Sequence, residues 1–288
     1  MQKSAGFKSH SNLWQRIATG VPLALGAAAL VWVGSFWFTL LVAVAVFFAQ
    51  SEFEHFLRLK GVEPQSYLVL LGALAMLAAA HFGNYQYLTA IFLLALVLAA
   101  LGAVIRFGHR PEPLLDSAGT WLALGYCGWL PAHIVLLRQV QNSAYHQPSA
   151  CCWGDLGLGL VGLVVLMCVA TDVGAFAFGK LLGKHKLCPK VSPGKTVEGA
   201  VGGVAVALLL SWGWSAWSGL ALQHCLILAA VGSVIAQFGD LFESSLKRNV
   251  GVKDSGNLIA GHGGALDRLD SFLLVIPWVY LYLQFFMK

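Results

Sequence analysis

The sequence predicts an all-α integral membrane protein with about nine transmembrane helices. Three observations lead there. The 288-residue chain is 58% hydrophobic and only 11% charged, with a mean hydropathy of +0.74. Apolar runs recur along its whole length, at roughly the 20 residues that a helix needs to cross a 30 Å hydrocarbon core. Lysine and arginine fall almost wholly on one side of the alternation that these runs define.

The runs lie at residues 17–33, 36–49, 66–82, 87–105, 118–137, 156–178, 197–214, 220–238 and 271–286. The second and the last are short for a span and need flanking residues to join them. Lys3, Lys8 and Arg16 ahead of an apolar run give the N-terminus the shape of a signal peptide. No small-residue cleavage site stands out, and a second run follows at once, so the segment reads as a retained span. A cytoplasmic N-terminus places 16 of the 18 basic residues inside, all but Arg138 and Lys288, and puts the C-terminus outside. Residues 139–155, with Pro148, form the main outside loop. It divides five N-terminal helices (1–138) from a four-helix C-terminal part (156–288) with cytoplasmic loops. The net charge of +5 is then a cytoplasmic-face charge that attracts anionic lipid headgroups, and no nucleic-acid partner is expected. The six cysteines include one vicinal pair and no Cys-x-x-Cys, so they read as small packing residues rather than a zinc site.

The ionisable residues that topology does not require are concentrated in the last 120 residues. The segment 244–270, SSLKRNVGVKDSGNLIAGHGGALDRLD, carries Lys247, Arg248, Lys253, Asp254, His262, Asp267, Arg268 and Asp270. Arginine and lysine hold phosphate, and carboxylates hold magnesium on phosphate, so the cluster reads as a phosphate-and-metal site at a membrane surface. At the end of the eighth run, Asp240, Ser244 and Lys247 share one helix face, with Glu243 beside them. Asp267 and Asp270 share a face at the start of the ninth, where acids also suit the helix dipole. Asp240 and Asp267 thus offer two carboxylates from neighbouring helices, a common way to hold magnesium. His262 stands among glycines, in a turn where backbone N–H groups approach a ligand. Upstream, five lysines fall between Lys180 and Lys195, and Pro189, Pro193 and Gly194 break any helix there. A P-loop is excluded because the residue five before Gly194 is Pro189 and no parallel sheet is available. A lysine-rich loop over polyphosphate is the functional reading, and a solvated topogenic loop the plain one. Asp172 lies inside an apolar run and costs several kcal/mol unless it is paired or faces a polar cavity. A contrasting reading is an ion- or proton-coupled transporter using Asp172 and Asp240. It requires ionisable groups near the midplane and broken helices in both halves, whereas the charge here crowds one face and one half.

These residues resemble the signature of the phosphatidate cytidylyltransferases, the CDP-diacylglycerol synthases. Ser244, Leu246, Lys247, Arg248, Lys253, Asp254, Gly256, Ile259, His262, Gly263, Gly264, Asp267, Arg268, Leu269 and Asp270 match it. So do Ser192, Pro193, Lys195, Thr196, Glu198 and Gly199 of an upstream motif. The likeness covers about residues 170–288; the N-terminal half fits only in its hydrophobic pattern and Glu52. The chain departs at Ala260, where proline is usual, at Ala265, where a larger aliphatic is usual, and at Gly194, where lysine is usual. The resemblance implies conversion of CTP and phosphatidate to CDP-diacylglycerol and pyrophosphate at the cytoplasmic face of a bacterial-type inner membrane. It implies magnesium on Asp240 and Asp267, with a second cation possible, and a homodimer in the bilayer. Lys247, Arg248, Lys253 and Arg268 are then the phosphate-binding residues. Lys195 and Thr196, with Ser192 and Ser244, hold the substrates, and His262 contacts phosphate or leaving group.

Overall fold

A computed structural model describes residues 20–22, 24–140, 155–256 and 263–286. It is a bundle of antiparallel helices. In chain order they are α1 (Gly20–Val33), α2 (Ser35–Leu59), α3 (Ser66–His81), α4 (Tyr85–Ile105) and a rod of α5 (Pro113–Ala123), a π-helical turn (Leu124–Trp129) and α6 (Leu130–Arg138). Then come α7 (Leu156–Leu182), α8 (Val197–Ser218), α9 (Leu222–Asn249) and α10 (Leu266–Phe286). Among the described residues, seven helical segments are long and apolar enough to cross a membrane: α2, α4, the Pro113–Arg138 rod, α7, α8, α9 and α10.

The two runs that were short by themselves reach spanning length because flanking residues join them. The run at 36–49 extends to 25 residues as α2, because Gln50, Ser51, Glu52, Glu54, His55 and Arg58 continue the helix past the apolar stretch. The last run becomes the 21-residue α10, because Leu266–Asp270 join it. The shorter apolar helices are α1 and α3. At about 1.5 Å per residue, the 16 residues of α3 reach only some 24 Å. Small side chains, Gly72, Ala73, Ala79 and Ala80, line the face of α3 that its neighbours cover, while Tyr67, Leu71 and Leu74 stay exposed along the other. Leu93, Leu94, Val97 and Leu101 on α4 are exposed too, as lipid-facing residues are.

The break between α1 and α2 has a definite cause. Gly34 adopts φ +68°, and the Arg138 guanidinium packs where its Cβ would be. Arg138 reaches across from the end of α6 to donate to the carbonyls of Val31 (3.0 Å) and Trp32 (3.3 Å), the free end of α1. It also pairs with Asp155 at 2.7 Å, and Asp155 caps α7 through Leu158 N. One side chain therefore ties α1, α6 and α7 together at the end of the bundle away from the acidic residues of 240–270.

In the C-terminal half, α7 and α8 pack so closely that only small residues fit between them. A Cβ at Gly199 would lie 2.6 Å from the Ala175 carbonyl, and one at Gly203 would lie 2.7 Å from the Thr171 carbonyl. Close approach of this kind is how helices associate where lipid removes the hydrophobic drive. The two halves meet through aromatic contacts. Tyr280 on α10 lies 5.5 Å from Tyr85 and 5.4 Å from His133, and Tyr126 on the π turn, itself packed on Phe53 of its own half, lies 5.6 Å from Phe242.

The lysine-rich segment is more ordered than its prolines suggested. Lys186–Cys188 (β1) and Ser192–Thr196 (β2) form a two-stranded antiparallel hairpin, the one sheet among the described residues. Pro189 falls in the turn and Pro193 lies on the edge strand β2, where a missing N–H is tolerated. The expected lysine-rich loop is thus closed by a short hairpin, and no helix forms across it.

Candidate active site

The site is built where α9 ends, α10 begins and the hairpin returns to α8. Thr196 ends β2 and caps α8, its hydroxyl accepting from Gly199 N at 3.1 Å. Glu198 in the first turn accepts from the backbone N–H of Lys184 (3.0 Å) and from His185, both backbone (3.2 Å) and ring Nδ1 (2.6 Å). These bonds fix the base of the hairpin to the helix. Arg248 fixes its tip, donating to the Val191 carbonyl at 3.4 Å and to the Val252 carbonyl at 3.0 Å.

So anchored, the hairpin presents Lys195 to α9, and Lys195 Nζ lies 2.6 Å from Asp240 Oδ2. The other oxygen, Oδ1, accepts from Ser244 Oγ at 3.2 Å, as the i, i+4 spacing predicts. One turn on, Lys247 Nζ lies 2.6 Å from Glu243 Oε2 and 2.6 Å from Asp267 Oδ1 on α10. Glu243 is fully enclosed, and its Oε1 meets no hydrogen-bond donor among the described residues. Asp267 Oδ2 accepts from the backbone N–H of Ser255 (2.9 Å) and Gly264 (3.0 Å).

Asp172 on α7, Asp240 on α9 and Asp270 on α10 lie within electrostatic reach of one another, and Arg268 is within reach of Asp172. Gly239 permits this approach of α9 to α10: a Cβ there would stand 2.5 Å from the Asp270 carbonyl. Asp270 itself accepts from Ser271 N at 2.6 Å. Ser192 is half-buried on β2. Lys253 and Arg268 are exposed, Lys253 on the loop between α9 and α10 and Arg268 in the first turn of α10. His262 and Ala260 lie outside the described residues. Gly194 is exposed on β2, where an added side chain meets open space.

Sequence reasoning did not find the roles of Glu52 and Glu243. Glu243 had a signal, its i, i+4 relation to Lys247. Glu52 had none beyond the resemblance: it accepts from Ala265 N (2.9 Å), Leu266 N (2.8 Å) and Ser255 Oγ (2.7 Å), more than 200 residues away along the chain.

Chemically, the site offers acids paired with lysines at one end of an apolar bundle, within reach of a basic hairpin. Among the described residues no three His, Cys, Asp or Glu side chains stand close enough to hold a metal ion by themselves. The donors are hard oxygens, the kind that magnesium prefers, and in this structure Asp240 and Asp267 each hold a lysine.

Fold and site together define a multi-pass membrane protein with lysines and acids paired at one end of its bundle. Residues 14–286 match the cytidylyltransferase family, and the chain belongs to it: it is a nucleotidyltransferase. It is 34% identical to the phosphatidate cytidylyltransferase of Bacillus subtilis, over 94% of this chain and 98% of that one. It is 38% identical to that of Pseudomonas aeruginosa, over 92% and 94%, and 33% identical to that of Synechocystis, over 93% and 95%.

Lys247 serves two acids, so its loss should be disproportionate. Lys247→Met strands Glu243 and Asp267 without their shared cation and should cost roughly 3–5 kcal/mol. Adding Glu243→Gln should return part of that stability. Unfolding of both variants in one detergent measures it; an unchanged midpoint for Lys247→Met would mean that the buried pair carries no stability.

Proposed function

We propose that the chain is a phosphatidate cytidylyltransferase: the phosphate of phosphatidate attacks the α-phosphorus of CTP, giving CDP-diacylglycerol and pyrophosphate. The observation that carries the reading is the pairing of Lys195 with Asp240 and of Lys247 with Asp267 at one end of an apolar bundle, in a chain of this family. The nucleophile is already anionic, so no strong base is required. The barrier lies in bringing two anions together and in stabilising the departing pyrophosphate.

Asp240 and Asp267 are the residues that would hold magnesium, with Asp270 and Asp172 adding negative charge nearby. When bound, the ion supplies charge neutralisation to the phosphates. Lys195, delivered by the hairpin, exchanges Asp240 for a triphosphate oxygen. Lys247 remains the counter-charge of Glu243 and steadies Asp267. Arg248, Lys253 and Arg268 draw phosphate to the surface, and Thr196 and Ser192 keep the hairpin over the nucleotide. The acyl chains stay in lipid beside the bundle.

We read the bundle as nine spans with the N-terminus and the site cytoplasmic. The support is that the basic residues of 58–60, 106–110, 180–195 and 247–268 belong to the same end of alternating helices, while Arg138 stands at the other. We retain the homodimer that the resemblance implies. The transporter reading is weaker, since the paired ionic groups gather at one end of α9 and α10 rather than at a midplane break.

Purified protein should convert phosphatidate in a CTP- and magnesium-dependent manner. Asp240→Asn and Asp267→Asn should each abolish turnover while leaving folded, extractable protein. Lys195→Ala should cost roughly 10- to 100-fold, the worth of one charged contact of about 1.5–3 kcal/mol. The loss should appear in the CTP Michaelis constant if Lys195 acts in the ground state, and in kcat if it acts in the transition state. Absence of conversion by the wild-type protein would sink the reading.

The orientation has its own check. Cysteines placed at the exposed positions Lys186 and Asp254 should resist a membrane-impermeant thiol reagent in intact cells and react once the membrane is opened. Ready labelling from outside would reverse the topology.

A further inference from the structure

Helix α10 begins at Leu266, and its first N–H groups have no partner within the helix. They stand at the edge of an apolar bundle, where an unsatisfied donor costs several kcal/mol. Two carboxylates collect the donors at this start and just ahead of it. Asp267 accepts from Gly264 N, and Glu52, from the far half of the chain, accepts from Ala265 N and Leu266 N. Ser255 joins the two acids. Its hydroxyl donates to Glu52 Oε2 at 2.7 Å and accepts from Asp267 N at 3.3 Å, while its own N–H donates to Asp267 Oδ2. The network closes on itself around the residue that opens the Asp267–Arg268–Leu269–Asp270 motif.

Two glycines leave room for it. A Cβ at Gly256 would stand 2.6 Å from Glu52 Oε1, and one at Gly264 would collide with Ser255 Oγ and with the Glu52 carboxylate. The loop is thus shaped around a side chain from α2.

We infer that Glu52 is a positioning residue for nucleotidyl transfer: it fixes the head of α10, and through Ser255 the carboxylate of Asp267, at the geometry that turnover requires. This gives α2, and the N-terminal half that carries it, a task in catalysis, and it rests on the function proposed above. Glu52 touches no reacting group, so its loss should lower kcat and leave nucleotide affinity near its starting value. A displacement of about 1 Å at a reacting centre costs on the order of 100-fold.

The test begins with phosphatidate conversion by the full-length wild-type enzyme, which must be present for the comparison to be made; its absence would fault the function and not the positioning. Glu52→Ala should lower kcat roughly 100-fold with the CTP Michaelis constant within about threefold of wild type. Glu52→Gln keeps an acceptor but sets an NH2 against a backbone donor, and should fall between them. Hydrogen exchange should show the amides of Ala265 and Leu266 deprotected in Glu52→Ala. Gly264→Ala, which pushes on Glu52 from the other side, should reproduce the kcat loss and carries the test if Glu52→Ala does not fold. Glu54→Gln is the control. Glu54 lies on the same helix and holds Gln50, Arg58 and Ser66 away from the site, so it should lower the thermal midpoint and spare kcat. Wild-type kcat in folded Glu52→Gln and Gly264→Ala, or loss of kcat in Glu54→Gln equal to that in Glu52→Ala, would reduce Glu52 to a merely structural residue and overturn the inference.

Discussion

The start of α10 is the constraint on which the rest of the site depends. A helix that begins in an apolar bundle exposes backbone donors that neither water nor its own turns can satisfy. Here Glu52 takes the N–H of Leu266 and that of Ala265 just before it, and Asp267 takes those of Ser255 and Gly264 in the approaching loop, so the acid that opens the Asp267–Asp270 motif is held by backbone bonds and not by side-chain packing alone. Lys247 then has a fixed carboxylate to meet, and Glu243, enclosed behind it, acquires a counter-charge. Neighbouring elements align to this fixed point: α9 by the close approach of Gly239 to Asp270, and the hairpin by Arg248 on Val191.

Around that anchor the polar groups divide by how firmly they are held. Asp267 has three donors on its carboxylate, and Lys247 is nearly buried between two acids. Lys195 is partly exposed, rides on a surface hairpin and, among the described residues, forms its ion pair with Asp240 alone. Side chains of the first kind set geometry. Lys195 is the kind that changes partner when a phosphate arrives, since a triphosphate offers more negative charge than one carboxylate does.

Much of this was legible in the sequence, and the gaps have physical causes. Membrane spans announce themselves through length and apolarity, and the i, i+4 spacing of Asp240 and Ser244 translated into the bond seen. Flanking polar residues lengthen α2 and α10 beyond their apolar stretches, as the two short runs required; Glu52, Glu54 and Asp267 among them bond within the bundle, while Ser51, His55, Arg58 and Arg268 stay exposed. The hairpin was hidden by Pro189 and Pro193, which argue against helix and are tolerated in a turn and on an edge. The tasks of Arg138 and Glu52 were illegible for a different reason. Their partners lie about 107 and 203–214 residues away in sequence, and no local pattern encodes a contact at that separation.

The most direct measurement is an experimental structure of the full chain in lipid nanodiscs with magnesium and a non-hydrolysable CTP analogue. The account predicts a triphosphate oxygen within hydrogen-bond reach, about 3 Å, of Lys195 Nζ, which has left Asp240, while Ala265 N and Leu266 N remain on Glu52. A triphosphate seated elsewhere, for instance beside Arg106 and Arg110, with Lys195 still on Asp240, would contradict it.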